Sequence, residues 1–294
     1  MILILGSGVA GLACALAVAE AGGHAAIVTP GALSTVEGAG AVESAGAVRG
    51  IDAVLAGGNT AMAQGGIAAA VGPDDTAALH AGDTVAAGVG LVDAEAAAVL
   101  TSEGAAAVRA LISAGFPADR TADGTLALGL EAAHSRSRIV HAGEDHTGAV
   151  LHEYLTSRVL GFVGAERIGA EHIGAGRIEL IERTTAVSLL NDSGAVAGAV
   201  LRDADGRLSA VRSEAVVVAT GGYAGLFQRT SGHPGARGEG VVLAARAGAL
   251  FADLEFVQFH PTALVGTGFL VSEAVRGAGA VLRDGSGERF MASV

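Results

Sequence analysis

The sequence lacks lysine and tryptophan altogether, and Cys14 is its single cysteine among 294 residues. Without lysine the chain cannot form a Schiff base with pyridoxal phosphate, and it cannot supply the lysine of a phosphate-binding P-loop. One cysteine excludes a disulfide framework within the chain and metal sites built from several cysteines. We expect no metal site in this chain. The missing disulfides indicate a reducing compartment such as the cytoplasm.

Positive charge is also scarce, because 18 basic residues face 30 acidic ones and give a formal net charge of −12. Nucleic acids and anionic membranes are bound through basic surfaces, so we expect neither as a partner. Residues 1–19 and 53–73 contain no charged side chain. Glycines and polar residues interrupt both segments, however, and we expect no membrane span. The hydrophobic content of 51% predicts a globular chain.

The N-terminal residues have the pattern of a βαβ unit. Apolar runs at 2–5 and 25–28 flank a glycine-rich turn and an alanine-rich segment at 12–21, which predicts strand, helix and strand. Residues 30–58 contain few structural signals and predict a long excursion with one helical turn near 51–55.

The rest of the chain changes from a helical to a strand period. Helical spacing predicts helices at 95–114 and 148–160. Shorter runs then predict a β-meander, at 178–181, 186–190, 196–201 and 208–211. The continuously apolar run at 215–222 is typical of a strand buried on both faces, and residues 238–240 open a helix that continues to 246. The whole pattern predicts an α/β fold.

A GxGxxG pattern lies between the first predicted strand and the first helix, and it consists of Gly6, Ser7, Gly8, Val9, Ala10 and Gly11. In this context bare backbone lets a pyrophosphate approach the helix N-terminus and lets the helix pack on the strand. The alternative is a glycine-rich turn without a ligand, since the chain has 46 glycines. The acid that usually binds a ribose after the second strand is replaced by Thr29, whose hydroxyl is the predicted substitute.

A second cluster combines an amide, a hydroxyl and bare backbone in Asn59, Thr60, Ala61, Met62, Ala63, Gln64, Gly65 and Gly66. Such a segment suits a flavin ring, because N–H groups can face its polar edge and glycines admit the flat ring. Alone it is equally compatible with an ordinary loop. The strand end at Ala219, Thr220 and Gly221 adds a third set of residues, and the combination is specific.

Two further motifs carry a resemblance to a known family: Glu131-Ala132-Ala133-His134-Ser135, and Arg138-Ile139-Val140-His141-Ala142 with the following Asp145 and Thr147-Gly148. Over nearly its whole length the chain resembles the flavoprotein family of succinate dehydrogenase, fumarate reductase and L-aspartate oxidase, and the L-aspartate oxidase branch most closely. The family signatures are EGGHS and RIxHAxDxTG, so two family glycines are alanines here. The resemblance implies a Rossmann-like, glutathione-reductase-type FAD-binding domain with the β-meander.

The same resemblance implies the cofactor, its mode of binding and the reaction. In the respiratory branch a histidine that bonds covalently to FAD occupies the position of Asn59, which implies noncovalent FAD in this chain. The implied reaction oxidises L-aspartate to iminoaspartate, the first step of NAD biosynthesis, with O2 or fumarate reoxidising the flavin. Quinolinate synthase is the implied recipient of the product.

Three residues match family positions that bind substrate. Glu131 matches the residue that discriminates the amino group, while His260 and Ser272 match ligands of the substrate carboxylates. Glu239 stands where the family has an aspartate near the flavin. The alternatives are a solvated acid for Glu131 and a turn-closing imidazole for His260. Four further side chains of these motifs are interpreted as loop scaffolding and not as catalytic: Arg136, Arg138, His134 and His141. Two interpretations of Arg276 stay open, since it either adds positive potential or ties the capping domain to the flavin domain.

The resemblance also predicts the domain organisation. Residues 1–252 are the expected FAD-binding domain, with an unusual, mobile insertion at 30–58. Residues 253–294 are the expected beginning of an α+β capping domain, since family members continue past Arg289-Phe290-Met291 into segments with further substrate ligands. Two alternatives therefore stay open, a truncated and inactive FAD-binding fragment and a flavoprotein of the fumarate reductase or succinate dehydrogenase type.

Overall fold

The computed structural model describes residues 1–33, 51–164, 176–266, 268–271, 275 and 279–293. These residues form two compact units, one of Met1–Ala63 with Ala149–Phe259, the other of Gln64–Gly148 with His260–Val294. The predicted domain boundary at 252/253 stays a prediction. The predicted insertion lies largely outside the described residues, at 34–50.

The first unit is built on a four-stranded parallel sheet in the order β10-β1-β2-β6. Its strands are β1 (Ile2–Leu5), β2 (Ala25–Val28), β6 (Ile178–Ile181) and β10 (Ala215–Val218). Helix α1 (Val9–Glu20) connects β1 to β2, so the predicted βαβ unit is confirmed. The α/β fold class is confirmed with it.

Apolar side chains of β1, β2 and α1 form the core of this unit. Leu3, Ile4 and Leu5 are at most 1% exposed, as expected for parallel strands covered on both faces. The buried face of α1 is built from Leu12, Ala15, Leu16 and Ala19, which recur at the helical spacing. The prediction that β10 is buried on both faces is wrong. It lies at one end of the described sheet order, and Ala215 and Val218 are exposed.

The β-meander has three strands, β7 (Thr185–Asp192), β8 (Ala195–Arg202) and β9 (Leu208–Arg212), in antiparallel order. The run at 178–181, predicted as its first strand, instead pairs with β2 in the parallel sheet. Hydrogen bonds from the backbone N–H groups of Arg183 and Thr184 to the carbonyls of Gly31 and Thr29 continue this pairing past the strand end.

The other helices are α2 (Ile51–Met62), α3 (Ala77–Ala87), α4 (Ala94–Ser113), α5 (Thr147–Leu160) and α6 (Glu239–Arg246), with short 3₁₀ helices at Ala224–Leu226 and Phe290–Ser293. The predicted helical turn at 51–55 is thus the start of a longer helix, interrupted at Gly58, where φ is +50°. Helix α3 begins after Thr76, whose hydroxyl accepts a hydrogen bond from the Leu79 N–H. Among the described helices, α4 is long and apolar enough to cross a membrane by length and composition alone, which is weak evidence for a span.

The second unit contains α3, α4 and a small antiparallel sheet of three two-residue strands. These are β3 (Ile67–Ala68), β4 (Leu128–Gly129) and β5 (Ile139–Val140), with β5 in the middle. Both Ile139 and Val140 are buried. Strands β3 and β4 therefore lie on opposite sides of β5.

Candidate functional site

The predicted dinucleotide turn has no room for side chains at two of its glycines. A Cβ atom at Gly6 would lie 2.3 Å from the carbonyl oxygen of Ala219, and one at Gly11 would lie 2.0 Å from the carbonyl oxygen of Gly6. Gly6 also has φ of +116°, which favours glycine. The turn therefore packs directly between α1 and the end of β10.

The N-terminus of α1 is suited to an anion. Its N-cap residue, Gly8, provides no side-chain hydrogen bond, and the first turn contains no acidic residue. The N–H of Val9 donates to the Thr60 hydroxyl over 3.0 Å. The positive end of the helix dipole is thus left uncompensated by any carboxylate of the first turn.

Buried hydroxyl groups of Ser7 and Thr29 hold the dinucleotide turn in place. The Ser7 hydroxyl lies 2.7 Å from both the Thr29 hydroxyl and the Ala56 carbonyl oxygen. The His152 ring contacts the Ser7 carbonyl through Nε2 at 3.0 Å. Thr29 is fully buried, and its hydroxyl also accepts from the Gly31 N–H. A contact between Thr29 and a ribose stays a prediction, because in this structure its hydroxyl faces protein groups.

Asn59 is bound to the protein backbone through its side chain. Its Oδ1 accepts a hydrogen bond of 2.6 Å from the N–H of His233, a residue that is 8% exposed. Thr60, Ala61 and the end of α2 follow directly, so this half of the second cluster lies in the first unit with the dinucleotide turn. Here the structure brings together two sets of predicted residues that are about fifty positions apart.

The end of β10 and the start of α6 meet in the same unit. A Cβ atom at Gly240 would lie 1.9 Å from the Thr220 hydroxyl, so this glycine is required for the close approach. Gly221 has φ of +77°, and the Gly238 N–H donates to the Gly222 carbonyl. Glu239 is the exposed first residue of α6.

The other half of the second cluster, Gln64, Gly65 and Gly66, belongs to the second unit. The Gln64 amide pairs with the backbone of Leu270, accepting from its N–H at 3.1 Å and donating to its carbonyl at 3.4 Å. A Cβ atom at Gly66 would lie 2.6 Å from the Val140 carbonyl oxygen, whereas one at Gly65 would meet open space. Gly65 is exposed, and apart from its chain neighbours no described atom lies near its Cβ position.

The predicted substrate residues Glu131 and His260 also belong to the second unit. Glu131 is partly exposed, which is compatible both with a substrate ligand and with a solvated acid. His260 Nδ1 lies 2.9 Å from the carbonyl oxygen and 3.2 Å from the N–H of Thr262, so this nitrogen faces a local turn. Ser272 and Arg276 lie outside the described residues.

A buried ionic network holds the loop that follows Glu131, and sequence reasoning missed it. Arg138 is fully buried and binds Asp75 at 2.8 and 2.9 Å and Asp83 at 2.7 Å. Asp83 also accepts from the N–H and the hydroxyl of Ser135, both at 2.8 Å. These two hydrogen bonds from Ser135, with a smaller contribution from Arg138, lower the pKa of Asp83 to about 2.

His80 lies beside this network, with its ring centroid 5.5 Å from that of His134. Burial of the imidazole, followed by the charge of Arg138, lowers the pKa of His80. The neutral form of this ring is therefore favoured next to the guanidinium. The partners in this network are up to 63 positions apart, as Arg138 and Asp75 are, so their pairing cannot be read from the sequence. The run of charged residues in the motif around Arg138 is the available signal.

Comparisons with known proteins support the family suggested by the motifs. A family model described as FAD binding domain matches residues 51–294. L-Aspartate oxidase from Agrobacterium fabrum is 42% identical over 297 residues, which cover 99% of this chain and 49% of that protein. L-Aspartate oxidase from Streptomyces coelicolor is 41% identical over 302 residues, which cover 99% of this chain and 46% of that protein. The chain spans about half the length of the curated relatives it matches.

Solved structures agree with the predicted fold. Quinol fumarate reductase from E. coli superposes with a TM-score of 0.79 at 27% identity, over 98% of this chain and 44% of that chain. Sdh1 from Mycobacterium smegmatis gives a TM-score of 0.77 at 30% identity, over 99% of this chain and 46% of that chain. The family model covers well over half of the residues, and the chain belongs to the family of FAD binding domains.

Proposed function

We propose that this chain binds FAD without a covalent bond and forms part of an L-aspartate oxidase, which converts L-aspartate to iminoaspartate. Relatives with that name are about 40% identical to it across nearly all of its residues. Because the chain spans about half of their length, the activity and the substrate of the whole enzyme are part of the proposal.

One observation carries the cofactor assignment, namely the close packing of the dinucleotide turn against α2 and β10. The Val9 N–H binds the Thr60 hydroxyl, while the Gly6 backbone lies directly against that of Ala219. The start of α1 has no side-chain cap from Gly8 and no acidic residue in its first turn, so these contacts form a glycine-lined surface at a helix N-terminus. Such a surface fits the pyrophosphate of a dinucleotide.

The side chain of Asn59 supports noncovalent binding. A carboxamide is not a nucleophile, and its Oδ1 is already bound to the His233 N–H. We therefore expect Asn59 to position the loop around His233, and not to form a bond with the cofactor. The ring contacts assigned to Ala61, Met62, Ala63, Gln64, Gly65 and Gly66 are part of the proposal.

Two described residues are assigned to the substrate. Bound FAD supplies the acceptor for the hydride that leaves the substrate Cα. The Glu131 carboxylate accepts a hydrogen bond from the substrate ammonium, which separates an amino acid from a dicarboxylate without an amino group. His260 donates from its ring to a substrate carboxylate, and Ser272 is proposed to do the same with its hydroxyl.

Anaerobic reduction by L-aspartate tests this proposal. The purified chain, saturated with FAD, is mixed with L-aspartate or with succinate in the absence of O2, and the flavin absorbance is followed. Bleaching by L-aspartate alone supports the proposal, and Glu131→Gln is expected to slow it by at least about tenfold. As a matched control, the exposed residue Glu103 is changed to Gln, which should leave the rate unchanged.

Other outcomes would favour the alternatives. Retained FAD without bleaching would indicate an inactive FAD-binding fragment, and bleaching by succinate would indicate a flavoprotein of the succinate dehydrogenase type. Reoxidation by O2 or fumarate, delivery of iminoaspartate to quinolinate synthase and a cytoplasmic location are further parts of the proposal. Mixing the reduced chain with each acceptor tests the reoxidation directly.

A further inference from the structure

We propose that His141 is a further substrate-binding residue, whose imidazole donates a hydrogen bond to a carboxylate of a dicarboxylate ligand. This inference rests on the proposed function, because it assigns His141 to the same substrate. His141 is the residue that follows β5, the central strand of the small sheet in the second unit.

The backbone register places His141 between two glycines. Ile67 pairs with Val140, so one step further along the antiparallel ladder Gly66 lies opposite His141. On the other side Gly129 pairs with Ile139, which shares a face of β5 with His141 because the two are two positions apart.

The imidazole contacts both glycines closely. A Cβ atom at Gly129 would lie 2.8 Å from His141 Nε2 and 3.3 Å from Cδ2, and one at Gly66 would lie 3.1 Å from Cε1. Any larger residue at Gly129 would therefore displace the ring. Glycine therefore occupies both positions next to this ring, Gly129 in β4 and Gly66 immediately before β3.

The ring nitrogens of His141 have no hydrogen-bond partner among the residues that the structure describes. In contrast, His152, His233 and His260 each use a ring nitrogen within their own unit. The backbone of His141 is satisfied, since its carbonyl accepts from the Asp119 N–H at 2.8 Å. Its side chain is partly exposed, and its polar atoms are free for a ligand.

The two neighbours of the ring connect it to the residues already assigned. Gly66 ends the segment proposed to contact the flavin ring, and Gly129 precedes Glu131 by two positions. L-Aspartate presents one ammonium group and two carboxylates, so it needs several donors and one acceptor. Glu131 provides the acceptor, and an imidazole N–H is a suitable donor to a carboxylate.

Binding of succinate, observed through the histidine rings, tests the inference. The chain is labelled with 15N, and long-range 1H–15N spectra are recorded with and without FAD while succinate or acetate is added. We expect succinate to shift the ring nitrogens of His141. We expect His141→Phe, which keeps a planar ring but removes the donor, to raise the Kd of succinate by at least about tenfold.

Three further variants separate ligand binding from folding. His141→Gln keeps an N–H donor and should stay within about threefold of the original Kd. Gly129→Ala should weaken succinate binding as His141→Phe does, because its methyl group occupies the position next to Nε2. Gly104→Ala adds the same methyl group on α4 in open space, and it should have no effect.

The outcomes distinguish this inference from the proposed function. A chain that binds no FAD but shows the His141 shift would contradict the proposed function and support this inference. A chain that binds FAD normally while His141→Phe binds succinate as tightly as the original would overturn the inference alone. Absence of any succinate-dependent shift at His141 would overturn it as well.

Discussion

The guanidinium of Arg138 and the carboxylate of Asp75 form a fully buried two-point ion pair, with Nε–Oδ2 and Nη2–Oδ1 distances of 2.8 and 2.9 Å. The third nitrogen of Arg138 binds Asp83, which in turn binds the backbone and the hydroxyl of Ser135. These contacts fix Ser135 and Arg138, which lie in the segment that follows Glu131. A single buried arginine therefore anchors the loop that carries the proposed amino-group ligand.

Arg138→Met is expected to destabilise the chain by about 3–5 kcal/mol, because it leaves a buried carboxylate without its partner. The free energy of unfolding is measured by urea titration. Arg136→Met is the matched control, since Arg136 is exposed and, among the residues that the structure describes, binds only the Ser135 carbonyl, at 2.8 Å. It should change stability by less than about 0.5 kcal/mol. Equal effects of the two substitutions would contradict the role assigned to the buried pair.

Acid should weaken the Ser135–Asp83–Arg138 contacts. Asp83 has its pKa lowered from 3.8 to about 2, so the folded state favours the ionised carboxylate. The ionised Asp83 therefore stabilises the folded state at pH values above the pKa of an unfolded aspartate. This stabilisation is lost as the pH falls from about 4 to about 2. Ser135→Ala removes one donor to this carboxylate and should flatten the fall in stability over that range. An unchanged pH profile in Ser135→Ala would contradict this assignment.

His80 adds acid sensitivity at a higher pH. Its pKa is lowered by burial and by Arg138, so the unfolded chain binds a proton at this position more readily than the folded chain. Stability should therefore fall as the pH decreases below the ordinary histidine value of about 6.5. His80→Gln should reduce this fall, which thermal unfolding at a series of pH values measures. A steeper fall in His80→Gln would reverse the sign and contradict the interpretation.

Ala133 adopts a left-handed backbone conformation, with φ of +68°, at a position where the resembled family has glycine. A side chain in this region costs about 1 kcal/mol relative to glycine. Ala133→Gly should therefore raise the free energy of unfolding by about that amount. Ala132→Gly is the matched control, because Ala132 is the other replaced glycine and is not among the residues with positive φ. Stabilisation by Ala132→Gly but not by Ala133→Gly would contradict this account.

Thr60 contributes the hydroxyl that accepts from the Val9 N–H. Thr60→Val keeps the shape of the side chain but removes this acceptor, at a cost of about 1 kcal/mol in FAD binding. The Kd for FAD, measured by flavin fluorescence, should therefore rise about fivefold. Thr84→Val makes the same change on α3 and should leave the Kd unchanged. A rise of similar size in both variants would indicate a general loss of structure.

Local patterns predicted the positions of the strands of the parallel sheet well, because these strands are short, apolar and bounded by glycine or turn residues. Strands β1, β2 and β6 begin and end where the apolar runs do. Their pairing is less local, and so the run at 178–181 was assigned to the meander when it belongs beside β2. Burial of β10 was overestimated for the same reason, since composition does not show a strand's place in the sheet order.

The sequence was less informative about the second unit. Two-residue strands such as β3 and β5 are too short to show a strand period, and the alanine-rich α3 has no strong apolar face. Glycines near residue 58 hid the length of α2. Motif resemblance proposed Glu131 as a substrate residue but interpreted His141 as structural. The ion pairs of Arg138 and the contacts of the His141 ring join residues far apart in the chain. Such contacts become visible only in three dimensions.

Noncovalent binding of FAD by this chain is tested by releasing the flavin with acid. The chain is purified with excess FAD, passed through a desalting column and precipitated with acid. We predict that the desalted protein is yellow and that all of its flavin appears in the acid supernatant as FAD. A colourless protein after desalting, or flavin that stays with the precipitate, would contradict the account.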